Sequence, residues 1–245
     1  MKRVKIVILL VLCMLIFCSC SDGKYKERDE SIDEKNKIDS NVPVSVGIEQ
    51  DKETKNASVG SLAKIGKVFL EDLSFFDVGL AEKISINELR RSFTTDETVE
   101  VTVSSFSVID LDNDGSDEVV LWLIVDGNEY FGSEILYFAE DEVYGFFVPY
   151  RGFNSLKTDG TFSFSGGAGN SGFGMFKFTP QEYVVEKITF CETHYNEKNE
   201  ETVSFVVNGQ EATQEKFELE LEIQNNKMDV ERYIYTEDNV KKHIS

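Results

Sequence analysis

The chain has 245 residues, with 19 Phe and 9 Tyr among them, enough for one well-filled domain and a tail. Its formal net charge is −20, from 25 Lys and Arg against 45 Asp and Glu. A nucleic-acid binder needs a basic footprint to displace counterions, so nucleic acid is set aside as a partner; such acidity suits solubility and an affinity for cations.

Residues 1–19, MKRVKIVILLVLCMLIFCS, place Lys2, Arg3 and Lys5 before an apolar run, which reads as a secretory signal peptide. The run is short for a transmembrane helix, which takes roughly 20 apolar residues. It ends in Phe17-Cys18-Ser19-Cys20, which resembles the lipobox of bacterial lipoproteins, with Phe17 where Leu is usual. That resemblance implies cleavage before Cys20 and a diacylglycerol on Cys20, which would tie the protein to the membrane. The other reading is an uncleaved anchor, and both put the rest of the chain outside the cytoplasm. Cys13 and Cys18 would leave with the signal, so Cys191 remains alone and no disulfide framework is expected. In its strand-like setting Cys191 reads as a small core residue rather than a nucleophile.

Residues 20–60 would then be the lipidated Cys and a polar tether, too poor in apolar side chains to order itself. A flexible tether of about 40 residues reaches roughly 35 Å. A single β-rich domain is expected over 61–245. It opens on a helix in which Leu62, Ile65, Phe69 and Leu73 share a face, with Ser61 as N-cap. Ser85 and Glu88 form a capping-box pattern before Leu89.

From Thr98 the period becomes two. Val99, Val101 and Val103 alternate, then Phe106 and Val108 take the other phase, which predicts a bulge near Ser104-Ser105. Val119–Val125, holding the single Trp122, reads as a central strand. Strands follow at about 130–139, 143–150, 161–165, 173–178, 183–195 and 202–207, joined by turns such as Asp126-Gly127 and Asp159-Gly160. A helix capped by Thr213 runs to about 225, then a strand-like Val230–Tyr235 and a last helical turn. The expected fold is α+β, an antiparallel β-meander of about eight strands with helices at both ends.

The strongest chemical signal is DLDNDGSDEVVL at 110–121. Asp110, Asp112, Asp114 and Glu118 stand at relative positions 1, 3, 5 and 9, with Gly115 at position 6. Closely spaced acids repel, a cation removes that cost, and hard ions such as Ca²⁺ take six to eight oxygens. The four carboxylates, the carbonyl of Ser116 and water would make such a shell, with a Kd on the order of 10⁻⁴–10⁻³ M. Position 12 is Leu121 and the flanks are strands, so the loop is not an EF-hand. The competing reading is an Asx-rich turn without metal.

Other motifs carry less. Gly167–Gly172 spells G-x-G-x-x-G, but the next residues alternate like a strand, so a hairpin loop is expected rather than a dinucleotide site. His194 and His243 lack zinc-site spacing. There is no G-x-S-x-G elbow, and serine hydrolysis has no evident base. Tyr150, Arg151 and Lys157 sit around a turn and are read as structural or solvent-facing, with contact to an anionic ligand as the alternative.

VIDLDNDGSDEVVL resembles the strand–loop–strand signature of FG-GAP-like extracellular calcium loops. The resemblance maps Asp110, Asp112, Asp114 and Glu118 onto ligand positions; a single copy excludes a closed propeller. More broadly, VYGFFVPYRGFNSLKTDGTF, SGGAGNSGFG and VVNGQEATQEKF are similar to a group of uncharacterised bacterial lipoproteins of Gram-positive type. These share a lipobox, a tether and one DxDxDG loop, so the resemblance implies location and architecture and brings no activity with it. The expectation is a monomeric, lipid-anchored extracellular protein with one structural Ca²⁺, a non-enzyme that binds or senses an envelope protein or glycan. The alternative is a surface hydrolase acting on glycan or peptide through carboxylates the sequence does not single out.

Overall fold

The computed structural model describes residues 50–244 apart from 128, 168, 180 and 181. The signal segment, Cys20 and most of the expected tether lie outside the described residues. The described part belongs to one compact unit, Val46–Ser245.

Helix α1 covers Gln50–Leu70 and so begins upstream of Ser61, inside the segment expected to be tether. Lys, Glu and Ala in QDKETKNASVG are good helix formers and extend a helix whose C-terminal half is fixed by packing. Ser61 is therefore a buried position within the helix, not its cap, and Leu73 lies beyond the helix end with 45 % of its surface exposed.

Twelve strands follow among the described residues, in two sheets rather than one meander. They are β1 (Phe75–Asp77), β2 (Glu82–Ile84), β3 (Val101–Ile109), β4 (Glu118–Val125), β5 (Glu129–Ala139) and β6 (Glu142–Pro149). Next come β7 (Phe162–Gly167), β8 (Asn170–Thr179), β9 (Glu182–Tyr195), β10 (Glu201–Val207), β11 (Gln210–Glu211) and β12 (Tyr233–Ile234). Sheet A has the order β12-β3-β4-β5-β6-β1-β2, and sheet B the order β11-β10-β9-β8-β7. Runs β3–β6 and β7–β11 are antiparallel and sequential as expected, whereas β1 pairs with β6 in parallel. The fold is α+β in the broad sense, but its helices are not simply gathered at the two ends. A 3-10 turn (Ile86–Ser92) sits between β2 and β3, and β12 separates α2 (Gln214–Asn225) from α3 (Glu237–His243). Among the described residues no helix is long and apolar enough to cross a membrane.

Sheet A is covered on both faces, which is why β4 reads as an unbroken apolar run. One face buries Val119, Leu121, Leu123 and Leu136 against Ile65 and Val68 of α1, Leu89, and Val240 and Ile244 at the C-terminus. The other buries Val120, Trp122, Ile135 and Phe146 against Phe153, Phe162 and Phe176. Trp122 stacks on Phe153 at 5.5 Å, gives its indole N–H to Ser107 Oγ at 3.2 Å, and lies under the Arg232 guanidinium at 3.5 Å. The expected bulge in β3 is a register shift between Val103 and Ser105. Cys191 is buried with Val207 and Phe217 under α2.

Candidate metal centre

Strand β3 ends at Ile109, β4 begins at Glu118, and these two residues pair across the ladder. The intervening loop is therefore a tight closure within sheet A. Asn113 and Gly115 take left-handed backbone, φ 58° and 91°, which Asn and Gly tolerate best. The carboxylates organise the turn. Asp110 accepts from the N–H groups of Asp114 (3.1 Å) and Gly115 (3.0 Å), and Asp112 Oδ1 from that of Asp114 (3.1 Å). Glu118 Oε2 accepts from the Leu111 N–H at 2.7 Å.

Two neighbours hold the loop from outside. The Asp159-Gly160 turn presses on it so closely that a Cβ at Gly160 would lie 2.8 Å from the Leu111 carbonyl oxygen. Strand β8 of sheet B meets its other side. Lys177 Nζ donates to the Asp112 carbonyl, the Phe178 N–H to Asp112 Oδ2 (3.4 Å), and Asn113 Nδ2 to Met175 Sδ (3.3 Å). The loop thus belongs to sheet A and is gripped by sheet B. The sequence reading missed this support. Its only signals were Gly in the Asp159-Gly160 turn and a lysine set among phenylalanines in FGMFKF.

Asp110, Asp112 and Glu118 each bring one carboxylate oxygen to within 4.8 Å of the others, and this trio could hold a metal ion. Among the described residues no other group of three or more His, Cys, Asp or Glu is so placed. Asp112 and Glu118 keep only 6 % and 4 % of their surface exposed. Burial pushes the Glu118 carboxyl up to about 9; the Leu111 N–H opposes this, and the charges of Asp112, Asp114 and Asp110 add to it. Asp112 is raised as well, by burial first and then by Asp114. A bound proton or a cation must neutralise such a group, and the donors are all oxygen, the set hard cations prefer.

Of the four expected carboxylate ligands, Asp114 is not among the trio. Asp114 is exposed and turns its Oδ1 to the Ser116 N–H at 2.7 Å, as an Asx turn does. The periodic spacing of the acids hid this division of labour, because only hydrogen bonding decides which carboxylates face inward.

The other motifs fall elsewhere. Gly167 and Asn170 close the β7–β8 hairpin, with no helix following. His194 is exposed on β9, its Nε2 2.8 Å from Ser204 Oγ, while His243 of α3 stacks on Tyr233 at 3.7 Å. Lys157 is buried, and its Nζ donates to the carbonyls of Asn225 (3.0 Å) and Lys227 (3.1 Å) and to Asp229 Oδ1 (2.6 Å). It fixes the end of α2 and has no donor left for an anionic ligand. Arg151 and Tyr150 are exposed and bonded to each other at 3.1 Å. Two open grooves lie beside His194 on sheet B, of about 530 and 460 Å³; the second includes Glu192, which is paired with Lys187 at 2.6 Å.

No family model matches the chain, and comparisons with curated proteins and with solved structures find no match.

Proposed function

We propose that this is a lipid-anchored protein facing outside the cytoplasm, whose β-rich domain is held by one Ca²⁺ in loop 110–118. Its role is binding or sensing at the cell envelope, of a protein or glycan, rather than catalysis. The observation that carries the cation reading is the convergence of Asp110, Asp112 and Glu118 within 4.8 Å, with Asp112 and Glu118 buried and Asp110 half-buried. Three carboxylates without cationic partners inside that set are unfavourable together, and a divalent ion reverses the sign of the interaction. Ca²⁺ suits them better than Mg²⁺, because it accepts six to eight oxygens in irregular geometry. Asp114, the Ser116 carbonyl and water are the further donors in this reading. Anchoring rests on the lipobox-like residues at Cys20, with the polar segment after it as spacer.

The metal is structural. It neutralises Glu118 and Asp112, and Asp112, with Asn113, is where the loop touches β8. Isothermal titration of the full-length protein in detergent should find one Ca²⁺ site with Kd on the order of 10⁻⁴–10⁻³ M, lost in Asp112→Asn. Heat identical to that of buffer alone would refute the cation reading. Metabolic labelling with a tagged fatty acid should mark the wild type and not Cys20→Ser; a wild type that takes up no label would refute lipid anchoring there.

A further inference from the structure

A second buried acid lies in sheet A, on β5 opposite Leu121 and on the face away from Trp122. Glu134 of β5 has no exposed surface, and neither of its carboxylate oxygens meets a hydrogen-bond donor among the described residues. Strand alternation puts it on the face of Leu121 and Leu136, opposite Trp122. Gly145 of β6 makes room for it. A Cβ at that position would sit 2.6 Å from Glu134 Oε1 and 2.5 Å from the Phe75 ring.

Gly145 pairs with Asp77 of β1, which is also fully buried. Asp77 is satisfied: its Oδ1 accepts from the Leu80 N–H at 2.7 Å and its Oδ2 from the Ser92 hydroxyl at 2.6 Å. Those two bonds tie the segment after β1, including the Ile86–Ser92 turn, to the sheet. Phe93 continues the attachment by packing on Phe131 (4.7 Å) and Phe147 (5.0 Å), and Phe147 is the cross-strand partner of Glu134.

A carboxylate without donors in a dry core is strongly disfavoured, and a neutral acid is far less so. Burial, and then the charge of Asp77, hold Glu134 well above the usual carboxylate range. The surroundings supply no counter-charge. Strand β4 presents Leu121, and β6 presents Gly145 and Phe147. Tyr183 of β9 is held up by burial and by the charge of Glu134. On the turn, Arg90 reaches the Thr94 carbonyl, and Arg91 pairs with Glu82 and Glu88. Lys64 of α1 lies over the Phe138 ring.

We infer that Glu134 is a neutral acid under the Ile86–Ser92 turn, and that its deprotonation beside Asp77 releases this turn from sheet A as pH rises. The ionised pair draws in water, and the bonds from Asp77 to Leu80 and Ser92 are the ones that loosen. The result is a latch that opens at alkaline pH and works independently of the cation loop.

Arg90 and Arg91 make the turn readable by trypsin. The background variant Glu118→Gln removes the other strongly raised carboxyl. In that full-length background, cleavage after Arg90 and Arg91, mapped by mass spectrometry and normalised to a peptide substrate, should rise at least about tenfold between about pH 6.5 and 9.5. Adding Glu134→Gln, or Glu134→Met where the amide does not fold, should abolish the rise. Cleavage that stays flat in the background variant, or rises equally with Glu134 replaced, overturns the latch. A direct check is the carboxyl ¹³C resonance of Glu134 at about pH 7, assigned by its loss in Glu134→Gln. The protonated position is expected, and an ionised one contradicts the inference.

Discussion

Glu118 concentrates the chemistry of the loop. Its carboxyl is raised to about 9 in the folded protein, against 4.5 for an ordinary Glu. Between those values the metal-free fold holds a proton that the unfolded chain has released, so its stability falls as pH rises through that window. A bound cation takes the proton's place and holds Glu118 ionised. Urea midpoints of the metal-free protein should therefore fall from about pH 5 to 9, and millimolar Ca²⁺ or Glu118→Gln should make the fall shallower by the share of Glu118, leaving that of Glu134. Cation affinity should in turn strengthen with pH, by at most about tenfold per unit, because binding expels the proton. The spacing of acids around Gly115 was enough to locate this site. It could not separate inward Asp110, Asp112 and Glu118 from outward Asp114, whose Oδ1 goes to the Ser116 N–H. Gly160, forty-odd residues away in sequence, left no signal beyond a turn. Its φ of +80° and its contact with Leu111 predict a loss on the order of 2 kcal/mol for Gly160→Ala, measured by urea denaturation, with weaker Ca²⁺ binding by titration.

The longer elements were legible because each leaves a period or a cap. The bulge in β3, the apolar run of β4 and the Thr213 cap of α2, whose side chain accepts from the Lys216 N–H, all match their sequence signals. Strands β1, β2 and β11 have two or three residues each, too few to show alternation, and pairing partners alone define them, whereas β12 falls within the strand-like Val230–Tyr235. The division into two sheets has another origin: β6 and β7 follow one another in sequence but do not pair, and strand periodicity carries no information on which neighbours pair. The upstream turns of α1 were hidden for a different reason: a polar sequence of good helix formers looks the same whether or not a packed helix continues it. Lys157 shows how tertiary structure fixes an element's end. Its three acceptors surround the C-terminus of α2, so Lys157→Met should cost about 2–4 kcal/mol in chemical denaturation, and Lys157→Arg should recover little of it.

Loop 110–118 closes two strands of sheet A and touches β8 of sheet B, with the Asp159-Gly160 turn behind it. A cation there acts on the whole domain, because the Asp112 carboxylate it would neutralise is the same group that meets Phe178. The sequence pointed to the loop and not to this junction, since β8 lies some sixty residues further on. The most direct measurement is thermal unfolding of the full-length protein in about 10 mM CaCl₂ and then in EDTA, with Asp112→Asn in parallel. At about a hundred times a Kd of 10⁻⁴ M the ion contributes about 2.7 kcal/mol, which raises the midpoint by roughly 5–10 °C in a domain of this size. Wild type should show that rise and Asp112→Asn should not. Equal midpoints with Ca²⁺ and with EDTA in the wild type would contradict the cation-held fold.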